Sequence, residues 1–262
     1  MDTETSRAEF WNPPLIEMSV GFEFQPLLWW NVPHFGLFWN EIRADYPRFE
    51  VREAVTSTNM ILLDPARPPV RCWFMDPATT GLIQVQNDRL IYNWRRVTPE
   101  ANYPKYDKIR PVFEDIWARF GHFLNSQGQQ QPSVEICDIT YVNHINRDAG
   151  DGKILSISDA FLRSQTESQS SLLAGVEPTS FATTYEMVPE SQAQLMVQVQ
   201  PAVSHIEGKA IFQFTLNARL RPASTAITDI FVALDRGHDW NVQAFKELTA
   251  PQMQQIWRRK SG

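Results

Sequence analysis

Cysteine is scarce in this chain. Cys72 and Cys137 are the only two in 262 residues, far apart and outside any C-x-x-C pattern, which argues against a disulfide framework or a structural zinc site. Both read as small buried hydrophobes on strands. Long apolar runs are missing too: no stretch approaches the roughly 18 consecutive apolar residues that a membrane span needs. The opening MDTETSRAEFWNPP sets acidic residues ahead of any apolar run, unlike a secretory signal. The expectation is a cytoplasmic protein in a reducing compartment, with no membrane partner.

Positive charge is also short. Lys and Arg total 24 against 30 Asp and Glu, for a net charge of −6, so a surface that grips nucleic acid or anionic membrane over its whole extent is disfavoured, and only a local basic patch is left open. The phosphate-cradling G-x-x-x-x-G-K-[ST], the dinucleotide G-x-G-x-x-G, the nucleophile turn G-x-S-x-G and the zinc pair H-E-x-x-H do not occur. No metal and no cofactor is implied. What the chain does have is apolar and aromatic bulk. It is 43% hydrophobic, with nine Trp and sixteen Phe, enough for a core that needs no covalent staples.

Residues 90–124 join the most strand-like run to the best amphipathic helix. Leu90, Tyr92 and Trp94 alternate with Ile91, Asn93 and Arg95, the period of a strand with one face more buried than the other. Pro104 suits a first helical position, and after it Tyr106, Ile109, Phe113, Ile116, Trp117, Phe120 and Leu124 form one stripe at helical steps. Pro111 interrupts that stripe, so a kink or a short break is expected there.

Upstream, a strand is expected over 15–24, a helix between Trp29 and Asp45, and strands over 49–56, 70–75, 82–86 and 90–96, with Asn87 and Asp88 turning the last hairpin. Downstream, the spacing predicts a strand over 134–145, a Ser-capped helix from Ser158 to Arg163 or beyond, strands over 180–188, 194–203, 210–220 and 227–235, and a last helix over 239–259. The chain therefore divides into a flexible lead-in (1–12), an α+β half (13–127), a glutamine-rich linker (128–132) and a second α+β half (133–262). A shift of about 140 residues sets Leu90 on Ile230, Pro111 on Pro251 and Trp117 on Trp257, which suggests an internal duplication. The fold class read from this is α+β, with two tandem β-α-β4-α halves, antiparallel sheets and helices packed on one face. By analogy of topology it matches the saddle of TATA-binding-protein-like folds, and the analogy carries no function.

Three clusters carry a resemblance. Asn12-Pro13-Pro14-Leu15-Ile16-Glu17, Asn93-Trp94-Arg95 followed by Tyr103-Pro104-x-Tyr106 and Phe113, and Leu234-Asp235-Arg236-Gly237-His238 followed by Phe245 resemble the landmarks of a sporadically distributed prokaryotic family of unknown function. Its members are similar in length, so the resemblance spans nearly the whole chain. It implies association with mobile or defence genes and brings no catalytic residues.

Two clusters are candidates for chemistry. In Asp235-Arg236-Gly237-His238-Asp239, His238 is a candidate general base oriented by Asp235 or Asp239. The structural alternative makes this a strand-to-helix turn, with Gly237 at positive φ and Asp239 as the helix cap. The second cluster, Trp94, Arg95, Arg96, Tyr103, Lys105 and Arg110, mixes stacking faces with phosphate partners, as single-strand binders do. Its structural alternative buries Trp94 and pairs the arginines with carboxylates. A third stretch, from Asp148 to Ile154, looks like a calcium loop but lacks oxygen ligands at required positions, so it reads as a solvated turn. The function taken from the sequence is a non-enzymatic protein-binding or adaptor module whose partner is another protein. The alternatives are a nucleic-acid or nucleotide-binding protein working through the Trp94 to Arg110 region, and an enzyme built on His238.

Overall fold

The computed structural model describes residue 10 and residues 12–55, 70–148, 154–162, 180–187 and 193–257. Most of the expected lead-in, the end of the strand expected at 56, the interior of the 148–154 turn, Arg163 and Arg259 lie outside these residues. The elements run β1 (Leu15–Phe24), α1 (Val32–Ile42), β2 (Arg48–Glu53), β3 (Val70–Met75), β4 (Gly81–Gln86), β5 (Arg89–Arg95), α2 (Tyr106–Ser126), β6 (Val134–Asn146), α3 (Ile157–Ala160), β7 (Phe181–Glu186), β8 (Ala193–Val203), β9 (Ala210–Leu220), α4 (Ile227–Leu248) and α5 (Pro251–Ile256). Among the described residues the fold is mixed α and β. Its nine strands form one antiparallel sheet in the order β2-β3-β4-β5-β1-β6-β9-β8-β7.

The described residues fall into two compact units. One takes Met18–Ile139 with Arg221–Leu234, and the other takes the residues up to Glu17, Thr140–Leu220 and those from Asp235 onward. In the first unit, β1 turns Met18, Val20, Phe22 and Phe24 to the core and α2 buries Ile109, Phe113, Trp117, Phe120 and Leu124. Phe22 meets Phe113 and Trp117 edge-on at 4.7 and 5.1 Å. The helix α1 covers β3 from the same side, with Phe38 and Phe74 6.3 Å apart. Two tyrosines in this unit are held neutral well above their ordinary range. Burial, then the neighbouring Asp76, pushes the Tyr92 hydroxyl up to about 12, and burial followed by Tyr92 raises Tyr46 further. In the second unit Phe245 of α4 stacks on Phe214 of β9 at 5.8 Å, and Phe10 closes on Phe245 at 5.2 Å.

No break occurs at Pro111. The helix α2 runs from Tyr106 to Ser126 with that proline inside, in the second turn, where its missing N–H costs only the Asp107 carbonyl a helical donor. The helix begins two residues later than expected because Lys105, at φ 75°, breaks the helical backbone just ahead of it.

The larger correction lies at the other end of the chain. Residues 227–235, expected as a strand, open α4. Ile230, Phe231 and Leu234 are buried while Val232 is 57% exposed, a helical step and not an alternation. Between α3 and α4 the described residues therefore carry three strands, not the expected four. The shift of about 140 residues would set the strand residue Leu90 on the helical Ile230, so that register is withdrawn. Trp117 and Trp257 are both buried, but Trp257 follows the short α5 instead of sharing a long helix. Gly237 and Asp239 sit inside α4. Gly237 has no positive φ, and Asp239 is far from a helix start, so the turn-and-cap account of this cluster fails.

No helix of the described residues is long and apolar enough to cross a membrane.

Candidate functional site

Strand alternation places Arg71, Trp73 and Met75 of β3 on the sheet face opposite the one where Phe74 meets α1. The register then gathers polar partners around Trp73 from both neighbours. Glu50 and Gln84 stand directly opposite Trp73, and Arg52 opposite Arg71. Asn93 and Arg95 of β5 share this face through the pairing of Leu82 with Asn93.

Three guanidinium groups surround the half-buried Trp73 ring. The Arg52, Arg71 and Arg95 carbons lie 4.6, 5.5 and 5.5 Å from its centroid, within the range where a cation is attracted to an aromatic face. A buried amide relay fixes them from below. Gln84 Oε1 accepts from Arg71 Nη1 at 2.7 Å and from Trp73 Nε1 at 3.1 Å, and Gln84 Nε2 donates to Asn93 Oδ1 at 2.6 Å. Arg95 Nη2 donates to the Thr79 carbonyl at 2.9 Å.

Thr79 itself has φ 60°, a conformation that costs a β-branched residue of order 1 to 3 kcal/mol and persists only when its surroundings over-determine it. Here they do. Asp76 closes the turn by accepting from Thr80 N at 2.9 Å and Gly81 N at 2.8 Å. The strained turn holds its carbonyl against Arg95.

Electrostatically the face is short of negative charge. Arg52 pairs with Glu50 at the surface, and Arg89 nearby is satisfied by Glu23 and Asp88 at 3.1 and 3.0 Å. Arg71 and Arg95 have no carboxylate partner among the described residues, and the Nε of each is buried without a hydrogen-bond acceptor. Burial, then the like charges of Arg89 and Arg52, lowers the Arg71 pKa from its usual value. An incoming anion would relieve all three effects.

The residues singled out from the sequence are split by this geometry. Arg95 belongs to the Trp73 face, whereas Trp94, its neighbour on β5, is buried on the other side with its ring 5.4 Å from Tyr103. The Tyr103 hydroxyl donates to Met18 Sδ at 3.1 Å, and Lys105 lies 5.9 Å over the Tyr103 ring. Arg110 pairs with Glu114 at 2.8 Å and covers the Phe231 ring at 4.6 Å. Arg96, half-buried, follows the end of β5. Trp73, Arg71, Arg52 and Gln84 were missed. The signal for them was the Arg71-x-Trp73 alternation inside an otherwise apolar strand.

His238 occupies a second polar site. Its Nδ1 lies 2.5 Å from the Tyr141 hydroxyl of β6, hydrogen-bonded, with the buried Asn143 on the same strand face donating to the Phe214 carbonyl at 3.2 Å and Asn241 fully buried one turn further along α4. Asp235 and Asp239 flank His238 on the helix and are half-buried. Among the described residues no cluster of His, Cys, Asp and Glu has the form of a metal site. The chain matches no known protein family, no curated protein and no solved structure.

Proposed function

We propose that this chain is a nucleic-acid-binding module that holds a single strand against the Trp73 face. One observation carries the reading: three guanidinium groups converge on one aromatic ring, and Arg71 and Arg95 lack carboxylate partners among the described residues. Arginine forks suit phosphates, and a stacking surface beside them suits an unpaired base. The net charge of −6 confines the attraction to this patch. Two buried, unbridged cysteines support a cytoplasmic setting.

The test is a fluorescence-anisotropy titration of a labelled mixed-sequence oligonucleotide, as DNA and as RNA. If Arg52, Arg71 and Arg95 neutralise three phosphates, a threefold rise in salt lowers affinity about tenfold. Trp73→Ala weakens binding by about 1 to 3 kcal/mol. Arg71→Ala with Arg95→Ala weakens it at least about tenfold, while Lys209→Glu, a comparable charge change at an exposed site, leaves it unchanged. Absence of binding to either nucleic acid, or full affinity in the double arginine variant, rejects the reading.

A protein partner is the second reading, with the prokaryotic defence or mobile-element setting that the family resemblance implies. It is favoured by the edge strand β2, where Phe49 and Val51 are each 59% exposed.

We also infer that the chain carries two related halves, as in a TATA-binding-protein-like saddle. The support is a common step of 121 residues that takes Met18, Val20, Phe22 and Phe24 to Ile139, Tyr141, Asn143 and Ile145, and Ile109, Phe113, Phe120 and Leu124 to Ile230, Leu234, Asn241 and Phe245. Every one of these positions is buried. Strand order also runs outward from the adjacent β1 and β6 on both sides.

A further inference from the structure

The strand β2 ends the sheet, pairing with β3 on one side only, so its outer row of backbone donors and acceptors has no strand beside it among the described residues. Its side chains divide by face. Arg48, Glu50 and Arg52 lie on the Trp73 side, with Phe49, Val51 and Glu53 on the other. Edge strands are commonly blunted by charged side chains, proline or a bulge; the charges of β2 alternate in sign along one face, and Phe49 and Val51 are 59% exposed on the other.

We propose that β2 is a self-association edge, pairing antiparallel with β2 of a second copy about a twofold axis at Val51. The charges select this partner and this register. With Val51 opposite itself, Glu50 faces Arg52 of the second copy, and the symmetry makes that pair twice. Moving the axis to Glu50 sets Glu50 on Glu50 and Arg48 on Arg52, both like-charged. Moving it to Arg52 sets Arg52 on itself. An axis at Phe49 restores opposite charges but shortens the overlap and brings in Pro47, which has no N–H for the ladder. Registers between these oppose residues from unlike faces and turn one sheet over. Only the Val51 axis combines overlap from Phe49 to Glu53, apolar contact at the centre and matched charge.

Sedimentation equilibrium on the purified chain, up to about 100 µM, tests this, with dissociation expected in the micromolar range. Glu50→Arg turns both symmetry-related pairs into repulsions and raises the dissociation constant at least about tenfold, and Arg52→Glu does the same. The double variant Glu50→Arg with Arg52→Glu exchanges the charges, restores both pairs and returns the dimer. Val51→Cys cross-links to itself on mild oxidation, because facing positions lie within about 5 Å of one another, while Cys72 and Cys137 stay buried. The Arg52, Glu50 and Val51 side chains are 48, 44 and 59% exposed, and unchanged unfolding midpoints confirm an intact fold. A chain that stays monomeric at the highest concentration, single charge reversals that leave dimerisation untouched, or an exchange variant that fails to recover it, overturns the proposal.

Discussion

The layer between α2 and β1 and the layer between α4 and β6 are filled in opposite ways. In the first, Phe22, Phe113, Trp117 and Phe120 interlock, with Trp117 5.9 Å from Phe120 and 6.0 Å from Phe24. The residues 121 positions further along the chain are Asn143, Leu234, His238 and Asn241. Tyr141 of β6 reaches His238 with its hydroxyl. Aromatic rings stabilise by area removed from water and by edge-to-face contact. Buried amides and a half-buried imidazole contribute little net stability, and each must find its partners. The difference teaches that the second layer is held by specific hydrogen bonds where the first is held by bulk. His238 is thereby a half-buried structural contact before it is a candidate base.

Truncation tests that contrast most severely. Trp117→Ala should cost about 3 to 5 kcal/mol in urea unfolding, the range for a large aromatic in a core, while His238→Ala should cost clearly less. Equal losses would erase the distinction.

Alkaline titration probes the aromatic side alone, since Tyr46, Tyr92, Cys72 and Cys137 all belong to the unit built from Met18–Ile139. Burial pushes the Cys72 thiol up to about 11, and burial with Asp138 takes Cys137 up to about 12. Tyr92 rises to about 12. Each folded-state value is above the unfolded one, so the stability these groups contribute is fully present below pH 9 to 10 and is lost as pH rises through 11 to 12. Both thiols should be silent to a thiol reagent near pH 8 and react only as this unit opens at high pH. Rapid labelling at neutral pH would break the account.

Removing one hydroxyl gives the smallest effect and the finest discrimination. Tyr141→Phe should lose about 1 kcal/mol, and a double-mutant cycle with His238→Ala should return a coupling of at least about 0.5 kcal/mol. A coupling of zero would make the short contact incidental.

Local pattern revealed much of this molecule. The spans of β1 and β3, the Asn87-Asp88 hairpin and the buried stripe of α2 follow from alternation, turn chemistry and helical spacing. Where an apolar run fits two periods, as in Ile230-Phe231-Val232-Ala233-Leu234, length has to arbitrate, and its continuity with the helix expected from 239 was hidden by Gly237, which reads as a turn. The Trp73 site was illegible for a different reason. Arg52, Trp73, Gln84 and Arg95 meet only through strand register, a non-local property, whereas the neighbours Trp94 and Arg95 look associated in sequence and are sent to opposite faces by the pleat.

The way the compact units draw on the chain also sets a timetable for its synthesis. Phe22 packs against Phe113 and against Phe231, 5.6 Å away, yet these partners emerge about 90 and about 200 residues later. At roughly 5 to 20 residues per second, the aromatic strand β1 waits about 5 to 20 s for its first cover and about 10 to 40 s for its second. For that interval a nascent chain presents Met18, Val20, Phe22 and Phe24 in a row, an apolar β-strand with nothing upon it. Transiently exposed apolar surface of this kind is aggregation-prone until its cover arrives.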